Sequence, residues 1–356
     1  MIRNKKLTNF YKHKKILITG HTGFVGSWLC IFLKNFNCKI YGISKNNLEN
    51  SKNYKLLKIS SFLENEFFLD INNYKKLDEK IKIINPHIIF HLAAQSYVLE
   101  GYKNPIDTFK TNIIGTANIL KSLISHKIKH SIIITSDKCY ANSNRNQYFS
   151  EGSILGGNDP YSASKACAEL ITKSFTHSYK KEIYIHTIRA GNILGGGDFG
   201  KQRLIPDIYF SRINNKKLYL RYPKAIRPWQ NILDVIHAYS LIPLHQSLIK
   251  KRYDSWNLGP NICEKKINVQ NLVKKFLKHF NNNKDFKIII NKRKQIESEV
   301  LMLNSNKIRK EVKWKDIYTI DETLMQIAEW YNIYHTNKSK IKKFSDKLLK
   351  DFLAKI

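Results

Sequence analysis

Five side chains able to move protons lie in two short stretches of this sequence: Ser136-Asp137-Lys138, and Tyr161 with Lys165. The first three follow an apolar, β-branched run, Ser131-Ile132-Ile133-Ile134-Thr135, which predicts a buried strand. After a polar loop, Asn158-Asp159-Pro160 opens a helical pattern with Tyr161 in its first turn and Lys165 four residues on. Residues four apart share a helical face, so the phenol and the ammonium can address one bound molecule. A strand end that delivers Ser, Asp and Lys, facing a helix that delivers Tyr and Lys, suggests hydride transfer with extra acid–base equipment. An Asp–Lys neighbour pair also reads, on spacing alone, as a surface ion pair.

These groups need a scaffold and a cofactor site. Residues 15–19 predict a short strand running into Gly20-His21-Thr22-Gly23-Phe24-Val25-Gly26 and then a helix to Leu33. Glycines at such a turn let the backbone approach a pyrophosphate, whose charge meets the free N–H groups of the helix. The second strand, residues 38–44, ends without the Asp or Glu expected on an adenosine ribose; Lys45 follows, which taken alone leaves NADP open. Asp70, in Leu69-Asp70-Ile71, is placed to cap a helix over residues 74–84. Residues 87–94 predict a buried strand ending in the small Ala93 and Ala94, which leave room for a cofactor in the crevice. The long helical pattern 106–124 contains Asn112, a polar residue that can bond across to the neighbouring strand.

Strict strand–helix alternation stops after a strand over residues 183–189, and a smaller lobe is expected to begin near Gly191. Within it, Arg203, Arg227 and Trp229 suit a nucleoside diphosphate: forked donors for phosphate and a flat face for a base. The same residues also read as surface arginines beside a buried tryptophan. Helical patterns at 232–248, 269–280 and 320–334 follow, the first returning to the core, and residues 338–356 read as a basic amphipathic helix or a frayed end.

Composition narrows the class. The 356 residues are 42% hydrophobic and 25% charged, as in a soluble globular protein. Lys and Arg number 61 against 28 Asp and Glu, a formal charge of +33. Such a field steers anions and could attract nucleic acid, but the lysines are scattered through nearly every segment and form no dedicated patch. The five cysteines are dispersed with no CxxC pair, which argues against a metal site and suits a reducing compartment. The apolar run after the basic N-terminus is too short for a signal peptide, and no transmembrane stretch is expected, so the expected location is the cytoplasm.

Together these segments resemble the extended short-chain dehydrogenase/reductases that act on nucleotide sugars. The resemblance is carried by Gly-His-Thr-Gly-Phe-Val-Gly-Ser-Trp (20–28), His-Leu-Ala-Ala-Gln (91–95), Thr-Ser-Asp-Lys-Cys-Tyr (135–140) and Gly-Gly-Asn-Asp-Pro-Tyr-Ser-Ala-Ser-Lys-Ala (156–166). Arg-Ala-Gly-Asn-Ile-Leu-Gly-Gly-Gly-Asp (189–198), Arg-Leu-Ile-Pro-Asp (203–207) and Arg-Pro-Trp-Gln (227–230) extend it over residues 14–331. It implies an α/β chain with a Rossmann-type doubly wound parallel sheet and a smaller C-terminal α/β substrate-binding lobe. The expected division is 1–190 for the NAD-binding domain with residues 230–260 returning to it, 191–335 mainly for the substrate lobe, and 336–356 for the tail.

The resemblance also implies roles. NAD would be the cofactor, lined by Gly20, Gly23, Phe24, Val25, Gly26, Asp70, Ile71, Ala93, Ala94, Gln95, Asn112 and Lys165, with Asp70 against the adenine. Ser96, Asn192, Arg203 and Arg227 would face the nucleotide sugar. Ser136 would hold the substrate hydroxyl, Tyr161 would take its proton with Lys165 favouring the phenolate, Asp137 would act as acid and Lys138 as base. Lys138 stands where related dTDP-glucose enzymes carry Glu, and so points to a branch acting on CDP-glucose and feeding deoxysugar, O-antigen and other surface polysaccharide synthesis. The enzyme would be a homodimer or a dimer of dimers. One departure stands out: the family's Leu-Asp-x-Ser-Lys segment is Leu303-Asn304-Ser305-Asn306-Lys307 here. The rival readings are another nucleotide-sugar epimerase or dehydratase of the same fold and, more remotely, a basic nucleic-acid-binding protein.

Overall fold

The β-branched runs line up side by side in the computed structural model, which describes residues 2–45, 51–143, 146–179, 182–264, 266–280, 287–290 and 298–356. The first five strands are β1 (Lys15–Thr19), β2 (Lys39–Ser44), β3 (Asn65–Phe68), β4 (Ile88–His91) and β5 (His130–Ile134). Then come β6 (Tyr148–Phe149), β7 (Tyr184–Ala190), β8 (Asn192–Leu194), β9 (Leu218–Leu220), β10 (Trp229–Asn231), β11 (Tyr253–Leu258), β12 (Ile288–Ile290) and β13 (Met302–Leu303). Seven of these make one parallel sheet in the order β11-β7-β5-β4-β1-β2-β3, and the short ones pair as β10–β8, β12–β9 and β13–β6. The order reverses between β1 and β4, which opens a crevice at their carboxyl ends where open parallel sheets bind ligands.

The pleat explains why the sheet is covered on both faces. Successive side chains of a strand point to opposite sides. Ile16, Ile18, Ile88, Phe90 and Ile132 enter one core, with side chains from the helices Phe24–Leu33, Ile232–Ile249 and Ile341–Lys355. Leu17, Ile43, Ile89, Ile133 and Ile185 enter the other, with the helices Tyr74–Ile84 and Gly115–Ser125. Burying each such side chain is worth about 1.5–3 kcal/mol, so a one-residue slip of any central strand would reverse both cores at once.

The chain ends differ from the expected plan. Residues Ile2–Tyr11 form a helix that the basic N-terminal sequence did not suggest; its buried Tyr11 donates to Ser240 O at 2.7 Å. The C-terminal stretch takes the helical alternative as Ile341–Lys355, with Ile341, Leu349 and Phe352 in the core and Trp330 Nε1 donating to Ser345 Oγ at 3.0 Å. It is part of the layer on the sheet and not a separate tail. At the departure noted above, Asn304 Oδ1 accepts from Asn306 N at 2.9 Å, in the turn that leads into the helix Asn306–Glu311.

Candidate active site

β5 and the helix Pro160–Ser178 bring the two reactive stretches together. Pro160 sits at the first helical position and Asp159 accepts from Ser162 N at 3.0 Å, which fixes where the helix starts and so where Tyr161 and Lys165 point. Tyr161 is 7% exposed and hydrogen-bonds to Ser136; burial pushes its phenol up to about 12 against that bond and the charge of Arg203, while Asp137 adds to the rise. Lys165 Nζ donates to Ile134 O at 3.2 Å, and burial pushes the ammonium down to about 8 against the charge of Glu169. Its place is thus on the last turn of β5, and the expected pull on the phenol falls to Ser136 and Arg203.

Asp137 is the group most primed for acid chemistry. It is 4% exposed, its Oδ1 accepts from Ser136 Oγ at 2.9 Å, and its buried Oδ2 has no hydrogen-bond partner among the described residues. Burial raises its pKa, with the charges of Lys138 and Arg227 acting in the opposite sense. A raised carboxyl pKa favours a bound proton that can be handed on. The surface ion-pair reading fails on the burial of Asp137.

The glycine turn fits an anion. Gly20 has φ +76°, and a Cβ there would lie 2.8 Å from Ala93 N; at Gly26 a Cβ would lie 2.2 Å from Gly20 O. The helix Phe24–Leu33 starts at Gly23 with no side-chain cap and no acidic residue in its first turn, so the N–H groups of Phe24 and Val25 are left for a phosphate. Ala93 N bonds Thr19 Oγ1 at 3.2 Å, which ties the small-residue end of β4 to β1 across the crevice. Asp70 is not the helix cap: Asn73 accepts from Lys76 N at 3.2 Å, and Asp70 instead pairs with Lys45 at 3.2 Å. The Ile71 side chain is 5% exposed and packs against Gly115.

Asn112 is 2% exposed, and its amide is spent inside the protein. Oδ1 accepts from Gln95 N at 2.8 Å, and Nδ2 donates to Gln95 O at 2.9 Å and to Ser164 Oγ at 2.8 Å. It clamps the loop carrying Ala93, Ala94, Gln95 and Ser96 to the helix carrying Tyr161. The expected single helix is interrupted at this point by a π turn, Lys110–Ile114, between Pro105–Phe109 and Gly115–Ser125. The wider turn carries Asn112 at the position of the clamp.

On the lobe side, Arg203 lies over the Tyr97 ring (5.3 Å), 3.5 Å from Asp198 and 3.4 Å from Ser96 Oγ. The Asp198 loop is anchored by Tyr331, whose hydroxyl donates to Asp198 O and whose ring stacks on Tyr209 at 4.6 Å. Arg227 is 7% exposed, donates to Ile226 O at 2.9 Å, and acts on Asp137. Asn192 lies opposite Trp229 in the β8–β10 pair. Trp229 corrects one expectation: it is 8% exposed and donates to Ile267 O at 3.0 Å, so its face serves the core and not a base. Tyr97 is the aromatic at the site mouth that the sequence reading missed, although it follows the small-residue end of β4 directly. Among the described residues no group of three or more His, Cys, Asp or Glu is placed to hold a metal, and no helix is long and apolar enough to cross a membrane.

Residues 17–327 match the family described as GDP-mannose 4,6 dehydratase. The chain belongs to it. As a member of the GDP-mannose 4,6 dehydratase family it is an enzyme. It is 32% identical over 335 residues to the CDP-glucose 4,6-dehydratase of Salmonella typhimurium, covering 92% of each chain. It is 24% identical over 341 residues to the UDP-glucose 4-epimerase of Mycoplasma genitalium, covering 91% of this chain and 98% of that one. Among solved structures, DesIV, the dTDP-glucose 4,6-dehydratase of Streptomyces venezuelae with NAD and TYD bound, has a TM-score of 0.79 at 18% identity, covering 93% of this chain and 99% of that one. That likeness shows the extended Rossmann fold.

Proposed function

We propose that this enzyme removes water from CDP-glucose across C5 and C6, giving CDP-4-dehydro-6-deoxy-glucose. The observation that carries the reading is Asp137: a buried carboxyl with a raised pKa and an unpartnered oxygen, between Lys138 and the Ser136–Tyr161 pair. An epimerase needs the tyrosine and lysine but has no use for that second acid and base. The cytidine nucleotide is supported by the 32% identity to the Salmonella typhimurium enzyme and by lysine at position 138.

NAD would be held by the glycine turn, Asp70 and the 93–95 loop, and would supply hydride chemistry at C4 and C6. Ser136 holds the C4 hydroxyl while Tyr161 takes its proton. The C4 ketone acidifies the neighbouring C5 hydrogen, which passes to the Lys138 amine. Asp137 gives its proton to the C6 oxygen, which leaves as water. Lys138 exchanges its proton with solvent and returns one to C5, and the proton on Tyr161 passes through Ser136, which bonds both groups, to Asp137, so the side chains end as they began. Asn192, Arg203 and Arg227 would grip the nucleotide diphosphate.

The test is incubation with CDP-glucose, dTDP-glucose, UDP-glucose and GDP-mannose separately, with and without added NAD, following the 4-keto sugar by its absorbance at alkaline pH. Turnover is expected with CDP-glucose; product from another sugar nucleotide alone would move the substrate, and no product from any would end the dehydratase reading. We also infer a homodimer in the cytoplasm. The exposed Tyr102, Ile106, Ile114 and Leu170 lie on the helices flanking the site and offer an apolar face, which sedimentation would read as twice the chain mass.

A further inference from the structure

Glu169 is fully buried one helical turn beyond Lys165, and nothing in the chemistry above uses it. Its carboxylate is clamped across the ends of two central strands. Oε1 accepts from Thr135 Oγ1, the residue after the Ile134 carbonyl that receives Lys165. Oε2 accepts from Thr187 Oγ1 at 2.7 Å and from Arg189 at 2.8 Å, both on β7. Arg189 in turn donates to Tyr140 OH at 2.8 Å and to Glu151 O at 3.0 Å. A buried ion pair is poor support for stability in itself, because desolvation offsets most of its attraction. Its position beneath the reactive strand end calls for another account.

We propose that Glu169 is a positioning residue for the reaction: clamped by Thr135, Thr187 and Arg189, it keeps the Lys165 amine charged and seated on the carbonyl at the end of β5. This rests on the hydride-transfer reading above, in which Lys165 would line the dinucleotide site. The groups facing that amine are Glu169 on its own helix, Cys139 after β5 and His91 from β4. Burial keeps the Cys139 thiol protonated and pushes the His91 ring down to about 3, so Glu169, its charge shared with the paired Arg189, is the carboxylate among them. Lys165, already pushed down to about 8 by burial, would fall further without it. A neutral amine would no longer present a charge to a dinucleotide ribose at neutral pH.

The experiment is competitive labelling of the full chain with acetic anhydride across pH, reading Lys165 by peptide mass spectrometry. In Glu169→Gln its half-reactive pH is expected to fall by about one unit or more, and the alkaline limb of the turnover profile to move with it. Glu169→Asp, which keeps the charge, should stay near the parent. An unchanged Lys165 titration in a folded Glu169→Gln protein would overturn the proposal, as would an equal shift in Glu169→Asp, which would mark a packing effect. Should Glu169→Gln fail to fold, Glu169→Gln with Arg189→Met removes both buried charges; a parental titration there would also overturn it. The labelling reads Lys165 whether or not a sugar nucleotide is turned over, so failure of the dehydratase reading and failure of this one are separate results.

Discussion

Asn112 never has to touch a ligand to matter, and its replacement by alanine separates clamping from binding. Its amide makes three hydrogen bonds, two to the Gln95 backbone and one to Ser164 Oγ. Ser164 keeps its own bond to Tyr161 O at 2.7 Å, so the groups left unpaired are Gln95 N and Gln95 O. An unsatisfied buried polar group costs about 1–3 kcal/mol; two, partly rescued by water because Gln95 is half-buried, give about 3 kcal/mol. The perturbation lies between the 93–96 loop and the Tyr161 helix, so looser dinucleotide binding and a lower kcat should accompany the loss of stability. Urea denaturation, a dinucleotide titration and steady-state rates on one preparation give all three numbers. A destabilisation under about 0.5 kcal/mol, the range of an ordinary surface change, with parental kcat would refute the clamp.

Tyr161→Phe keeps the ring and removes the proton acceptor; kcat should fall by about 10²–10⁴ while nucleotide-sugar affinity, read by titration, stays within a few-fold. Lys138→Met should still form reduced nicotinamide on a sugar nucleotide but make no 6-deoxy product, and normal product formation would return the chain to the epimerase reading. The buried His91 ring, pushed down to about 3 from its usual 6.5, takes up a proton on unfolding. Because its folded pKa is depressed, the stability it contributes is present above about pH 6.5 and is lost as pH falls toward 3. His91→Asn should therefore lose about 2 kcal/mol less than the parent between pH 6 and pH 4 in urea melts, and parallel losses in the two proteins would contradict this.

What could be read from the sequence was local. The glycine turn, the β5 run and the Tyr161–Lys165 spacing are each contained in one element, and the structure places them together because a parallel sheet puts all strand ends on one side. Long-range facts were not legible. Trp229 and the arginines beside it looked the same as a base platform or as core, and only the burial of the indole and its bond to Ile267 O decide. Asn112 was read as reaching across, but its two partners lie in a loop and a helix distant in sequence, and a π turn leaves no pattern in hydrophobic periodicity. The Glu169 clamp did leave a signal, an acid four residues after Lys165; its partners Thr135 and Arg189 gave it meaning only once β5 and β7 were paired.

The most direct test of the central claim is to follow one hydrogen. CDP-glucose carrying deuterium at C4, turned over in ordinary water, should give a 4-keto product with that deuterium at C6 and a solvent hydrogen at C5, read by NMR. Deuterium lost to water, or retained at C4 of an epimerised sugar, would contradict the claim that Ser136, Asp137, Lys138, Tyr161 and Lys165 work on a single hexose.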